Sequence, residues 1–407
     1  MSKQAPPLLF RGRQWSAFSV LPPVWRFPKG DFCMASFPTL RIALLATTAI
    51  VASGGALFAQ TPTEKTTISA PVADPAARAD PDMAKVLAAL GELQPKPIEN
   101  LTAAEARKQP SATDAVMKVI KDEKLKVDPH AGLSVSNSRF ADMGNLRLRY
   151  YTPEKATKDA GLPVIVYYRG GGWVISDLDT YDASASAIAR KANAIVVSVD
   201  YPMAPEHKFP AQHDEAIEAY KYILKNAKGW GGDPAKLAIV GESAGGNLAV
   251  ATAMAARDQK LTAPVAIVSV YPIATTAADT PSKKEQAAAK PLNAPMMAWF
   301  FDKVLNNEAE KQDPRLNLVA ADLKGLPPTT IINAEIDPLR SDGDMLADKM
   351  KAAGNDVTHK VYAGVTHEFF GMDAVVAKAK EAQDFAVSQL QKSFGPSTGT
   401  VGASPSK

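Results

Sequence analysis

Five near-continuous apolar runs, at 164–168, 194–199, 237–240, 265–270 and 329–332, do most to limit what this chain can fold into. A strand that faces water on one side alternates polar and apolar residues. Runs without that alternation belong to strands covered on both faces, as in a parallel sheet. The intervening stretches read as helices, roughly 180–192, 211–227, 244–257, 342–353 and 373–392. Strand–helix alternation at this spacing predicts an α/β fold, a mostly parallel sheet with right-handed crossovers. Before the runs, Leu146, Leu148 and Tyr150 alternate with polar neighbours, as in a half-buried strand. Residues 272–326 break the rhythm: they are long for a crossover, contain a helical segment at 296–305 and read as an insertion.

Upstream, Met83, Val86, Leu87, Leu90 and Leu93 follow helical spacing, and further helices are expected at 102–108 and 112–122. They carry few core residues each, so they are expected to cover something larger. The expected organisation is therefore cap helices over 81–140 and a sheet domain over 141–394, with a cap insertion at about 272–326. Residues 60–80 read as a Thr/Pro/Ala-rich linker and 395–407 as a disordered Gly/Ser/Thr/Pro-rich tail.

Composition narrows the function. The 407 residues are 46% hydrophobic and 22% charged, ordinary globular usage that excludes disordered, collagen-like and disulfide-framework proteins. The formal net charge is +3, and all of the excess lies at the start of the chain. Residues 1–33 carry Lys3, Arg11, Arg13, Arg26 and Lys29 against Asp31, and 34–59 add Arg41, which leaves −2 for 60–407. A nucleic-acid-binding surface is not expected. From Met34, Arg41 is followed by an apolar run at 42–52 and then small residues up to Ala59, the layout of a secretory signal peptide. The run is too short to span a membrane. Cleavage is expected after Ala59, with Ala56 the alternative. Residues 1–33 read as a mis-assigned upstream extension with Met34 the initiator, and a periplasmic or secreted location follows. The single cysteine, Cys33, lies in that extension, so the mature chain would lack a thiol nucleophile, a thiolate metal site and a disulfide.

The run Gly241-Glu242-Ser243-Ala244-Gly245 follows one expected strand and opens a helix. The pattern alone is weak, but in this place it fits a sharp strand-to-helix turn that lifts a serine hydroxyl above the strand's carboxyl end. The helix N-terminus beneath favours developing negative charge. Arg169-Gly170-Gly171-Gly172-Trp173 follows another strand, and glycines there let backbone N–H groups face a ligand, as donors to an oxyanion must. For a chain order Ser…Asp…His the base lies near the C-terminus. His130, His207 and His213 precede Ser243, and His359 sits between valines on a strand. His367, in the following loop, is the expected base. Asp337, just beyond the 329–333 strand and stiffened by Pro338, is the expected acid. Asp342 is expected to cap the next helix, and Glu335 to lie near the site. Trp173, Trp299 and Phe300 are candidate pocket residues, although aromatic residues are more often plain core.

With these residues in hand, the chain resembles the hormone-sensitive-lipase-like family of α/β-hydrolases, the bacterial serine carboxylesterases. The likeness covers about 100–390 and includes the glycine triplet, Asp200-Tyr201, Ala204-Pro205-Glu206-His207, Phe209-Pro210-Ala211, the Gly241–Gly246 run and Asp337-Pro338-Leu339-Arg340. The resemblance implies an α/β-hydrolase fold and a triad of Ser243, Asp337 and His367. It also implies oxyanion donors from the backbone of Gly171, Gly172 and Ala244, and a cap over an acyl pocket. The implied reaction is hydrolysis of a small-molecule ester, with no metal or cofactor. The sequence departs from the family at Arg169, where His is usual, at Glu242 for Asp, at Pro202 for Arg and at Glu368 for Gly. An amidase or peptidase using the same triad, or a non-catalytic binding protein on the same fold, are the alternatives. Oligomeric state stays open, a homodimer included.

Overall fold

The computed structural model describes residues 75–140 and 146–395. The expected extension, signal peptide and first part of the linker, and the tail from 396, lie outside the described residues. An eight-stranded sheet forms from β1 (Leu133–Phe140), β2 (Leu146–Pro153), β3 (Leu162–Tyr168), β4 (Ile195–Asp200), β5 (Gly232–Glu242), β6 (Ile267–Val270), β7 (Thr329–Ile336) and β8 (Val357–Thr366). Their order is β1-β2-β4-β3-β5-β6-β7-β8. The pairs β1/β2 and β2/β4 are antiparallel, and all others are parallel.

The apolar runs are continuous because each central strand feeds two cores. Val164, Val166 and Tyr168 of β3 point into one cluster, with Leu237 and Ile239 of β5. Ile165 and Tyr167 point into the other, with Ala238 and Val240. The first cluster is closed by α5 (Ala211–Asn226), α6 (Ala244–Asp258) and α9 (Arg340–Ala352). The second is closed by α4 (Asp182–Ala192) and α10 (Ala377–Phe394), with α1 (Pro81–Glu92) and α3 (Ala112–Asp122). Burial of apolar surface on both faces dominates the stability of such a sheet.

Short α2 (Ala103–Ala106) and α3 each begin with a capping box, Thr102 with Glu105 and Ser111 with Asp114. The side chain and backbone N–H at each start satisfy one another, which fixes where these short helices begin. The insertion between β6 and β7 holds α7 (Pro281–Glu285) and α8 (Ala294–Val304).

Two boundaries differ from expectation. Residues 81–140 are not all cap helix, because Leu133–Phe140 forms the edge strand β1. An edge strand needs little burial: only Leu133 is fully buried, and Ser134, Ser136, Asn137 and Arg139 are exposed, so the apolar signal is faint. The end of the expected linker is also tied down. Pro75–Arg78 forms a 3₁₀ turn, Arg78 pairs with Glu285 and Glu335, and Asp80 pairs with Lys378 at 2.6 Å.

Candidate active site

Ser243 stands between β5 and α6 with φ 57° and ψ −118°, a conformation strained for any residue with a side chain. The residues two positions before and after it must be small. A Cβ on Gly241 would lie 2.0 Å from the Gly245 carbonyl oxygen, and one on Gly245 would lie 2.0 Å from that of Tyr168. The turn thus lets the backbone of α6 close onto β3 and β5, with the serine at its apex. The Ser243 N–H is anchored to the Val270 carbonyl at 2.9 Å.

The other two groups arrive from the ends of neighbouring strands. Asp337 follows β7 and is fully buried; one carboxylate oxygen accepts the Leu339 N–H at 2.8 Å. Its other oxygen lies 2.7 Å from His367 Nδ1, and His367 Nε2 lies 3.0 Å from Ser243 Oγ. An ionised carboxylate only accepts, so Nδ1 carries the proton and Nε2 is left to accept from the hydroxyl. Burial pushes the His367 imidazole down, but the Asp337 charge and hydrogen bond, with Glu368 and Glu242 behind them, carry it above its ordinary value. The arrangement is that of a base poised to take a serine proton.

A layer beneath holds the imidazole in place. The Tyr271 ring packs on His367 at 4.5 Å between centroids. The Tyr271 and Tyr167 hydroxyls both donate to the buried carboxyl of Glu242, whose pKa burial pushes up to about 7. Glu242, the residue inside the serine motif, therefore acts below the site rather than in it.

The glycine loop after β3 is fixed by Arg169. Its fully buried guanidinium donates to the Gly170 and Ile175 carbonyls, each at 3.2 Å, and to that of Tyr201 at 3.3 Å. It also pairs with Asp200 at 3.2 Å and stacks 4.3 Å from the Tyr201 ring centroid. Gly172 adopts φ +56°, and a Cβ there would lie 2.4 Å from the Phe300 ring, so the cap and the loop pack directly. Among the described residues, the N–H groups of Gly171, Gly172 and Ala244 donate to no protein acceptor. Gly171 and Gly172 line one cavity with Ser243, and Ala244 follows Ser243 in the open first turn of α6.

A cavity of about 640 Å³ opens above Ser243 and His367. The sheet contributes Gly171, Gly172 and Ile273 to its walls, and the cap contributes Ile98, Met297 and Phe300 among others. Phe300 thus lines it as expected. Trp173 and Trp299 do not. Trp173 is fully buried against His213 and Phe301, and the Trp299 indole N–H is turned to the Leu101 carbonyl at 3.1 Å. Both rings are spent on core packing.

Two acidic residues are also placed differently from expectation. Asp342 makes no helix cap: it is buried, accepts the N–H groups of Ala274 and Thr275 and pairs with Lys283 at 2.9 Å, pinning the start of the insertion. Nothing local in the sequence marks it, because its partners come from elsewhere in the chain. Glu335 accepts the Gly364 N–H at 2.8 Å and does not line the cavity. His359 lies on β8 beside Asp344 at 3.3 Å, and His130 pairs with Asp182 at 2.7 Å, both away from Ser243. Among the described residues no group of three or more His, Cys, Asp or Glu is placed to hold a metal ion, and no helix is long and apolar enough to cross a membrane.

Comparison with known proteins follows this geometry. A family described as the alpha/beta hydrolase fold matches residues 165–371. Carboxylesterase NlhH of Mycobacterium tuberculosis is 38% identical over 261 residues, 63% of this chain and 81% of the relative. Ethyl acetate hydrolase of Pseudomonas putida is 31% identical over 298 residues, 73% of this chain and 92% of the relative. Among solved structures, an alpha/beta hydrolase enzyme from the metagenome of Lake Arreo superposes with a TM-score of 0.70 at 32% identity, over 79% of this chain and all of the other. The chain belongs to the α/β-hydrolase fold family, within its hormone-sensitive-lipase-like branch of bacterial esterases.

Proposed function

We propose that this carboxylic ester hydrolase works through an acyl-enzyme on Ser243, taking small-molecule esters of short to medium acyl chain. One observation carries the reading: an unbroken buried chain from Asp337 through His367 to Ser243, with contacts of 2.7 and 3.0 Å, at the floor of the cavity. His367 takes the serine proton as Oγ attacks the ester carbonyl, and the backbone donors of Gly171, Gly172 and Ala244 receive the oxyanion. The imidazolium, held by Asp337, then protonates the leaving alcohol. Water enters, gives its proton to the same nitrogen and releases the acid. The similarity to proteins named carboxylesterase and ethyl acetate hydrolase supports an ester over an amide as the substrate.

The cavity, at about 640 Å³, suits a compact ester. A panel of p-nitrophenyl esters from acetate to dodecanoate reads out the acyl preference. Ser243→Ala is expected to abolish turnover across the panel; turnover that survives it overturns the assignment. The reading also includes export, with 34–59 as a signal peptide, and N-terminal sequencing of the protein recovered from a secreting host tests it.

A further inference from the structure

The loop that carries His367 presents a second carboxylate to it. Glu368 Oε1 lies 3.9 Å from His367 Nε2, the nitrogen that faces Ser243, and the side chain lines the same cavity. It is held there by the Tyr181 hydroxyl, which donates to Oε1 at 2.6 Å. Tyr181 is itself fixed at the glycine loop, since a Cβ on Gly170 would lie 2.2 Å from its oxygen. The backbone adds an independent sign. Glu368 sits at φ 69°, a left-handed conformation that glycine adopts freely and glutamate does not. A strained backbone maintained beside a reacting group points to a use for the side chain.

We propose that Glu368 is a positioning residue, a second carboxylate that holds the Nε2 edge of the His367 imidazolium and sets the pH at which hydrolysis fails in acid. The inference rests on the hydrolysis reading above and deepens it. The groups around the imidazole are Asp337 from the turn after β7, Tyr271 from the turn after β6, Ser243 from the elbow and Glu368 from its own loop. The Glu242 carboxyl lies behind Tyr271, and Tyr181 covers Glu368. Asp337 binds Nδ1 and does not reach the Nε2 edge. Glu368 is the carboxylate on that edge, where positive charge forms when the serine proton arrives. Burial pushes the Glu368 carboxyl above its ordinary value, against the pull of the His367 charge and the Tyr181 hydroxyl. In its ionised form it favours the imidazolium, so its removal must let His367 lose its proton at lower pH.

The test compares the wild type with Glu368→Gln and Glu368→Gly. The glutamine keeps the shape and removes the charge; the glycine removes the charge and relieves the positive φ, so backbone strain at 368 does not account for its effect. Two readouts are taken: the NMR titration of the His367 ring, and the acid limb of kcat/KM for p-nitrophenyl butyrate. Both variants are expected to move both midpoints down by at least about 0.5 pH unit, since even full water screening leaves one charge at this distance worth about 0.8 pH unit and the buried ring is screened less. Midpoints that coincide with the wild type, or move up, overturn the inference. If the wild type shows no hydrolysis that depends on Ser243, the hydrolysis reading fails, and the ring titration still decides whether Glu368 governs His367.

Discussion

Two buried histidines bond to the start of α6, and their surroundings give them opposite characters. His367 reaches Ser243 at 3.0 Å, and His213 Nε2 reaches Asn247 Oδ1, one turn further along, at 2.9 Å. His367 has a carboxylate bonded to its far nitrogen; the far nitrogen of His213 has none. The Asn247 amide also donates to the carbonyls of Ile273 and Leu316, so it serves as a structural tie. Burial presses both imidazoles down. Asp337 reverses that for His367, whereas His213 is left at about 4. Burial therefore does not make a base. The group behind the ring does.

The largest effect is expected when His367 is given the kind of partner His213 has. Asp337→Asn keeps the shape, removes the charge and permits the wrong tautomer, and kcat is expected to fall by about 10⁴ while the thermal midpoint changes little. A loss below about tenfold would mean that the carboxylate does not define the site. A second variant leaves both rings untouched. Gly172→Ala forces a Cβ into Phe300 at positive φ, displacing a backbone N–H proposed to receive the oxyanion, and should lower kcat by about 10²–10³ with the His367 titration unchanged. Steady-state kinetics beside the ring titration separates these two failures.

A smaller effect concerns stability. The pKa of His213 is lower in the folded protein, about 4, than the ordinary 6.5 expected when unfolded, so between these values the unfolded chain binds the extra proton. Stability is therefore full above about pH 6.5 and declines towards pH 4, by about 3 kcal/mol from this group. Urea unfolding across this range checks it, and His213→Gln should flatten that part of the profile. His367, shifted the other way, should instead place the acid limb of activity above 6.5.

What could be read from the sequence divides along a physical line. The parallel strands were legible because burial on both faces leaves an uninterrupted apolar run, and Ser243 and Asp337 because each sits just past the end of such a strand; His367 follows the partly exposed edge strand β8 and was legible from the chain order serine, acid, base. The edge strand β1 was hidden by its exposed serines and arginine. The placement of Trp173 and Trp299 depends on how the cap packs over the sheet, which no local pattern encodes. The same holds for Asp342, whose partners Lys283, Ala274 and Thr275 lie about sixty residues away in the chain. Glu368 was visible only as a departure from the family's usual glycine; what it does depends on Tyr181, distant in sequence.

Whether Asp337 and His367 make one hydroxyl reactive is read out by labelling the intact protein with a fluorophosphonate and mapping the adduct by mass spectrometry. A single adduct is expected on Ser243, absent in Ser243→Ala and formed far more slowly in Asp337→Asn. An adduct on another residue, or a labelling rate unchanged by Asp337→Asn, would contradict it.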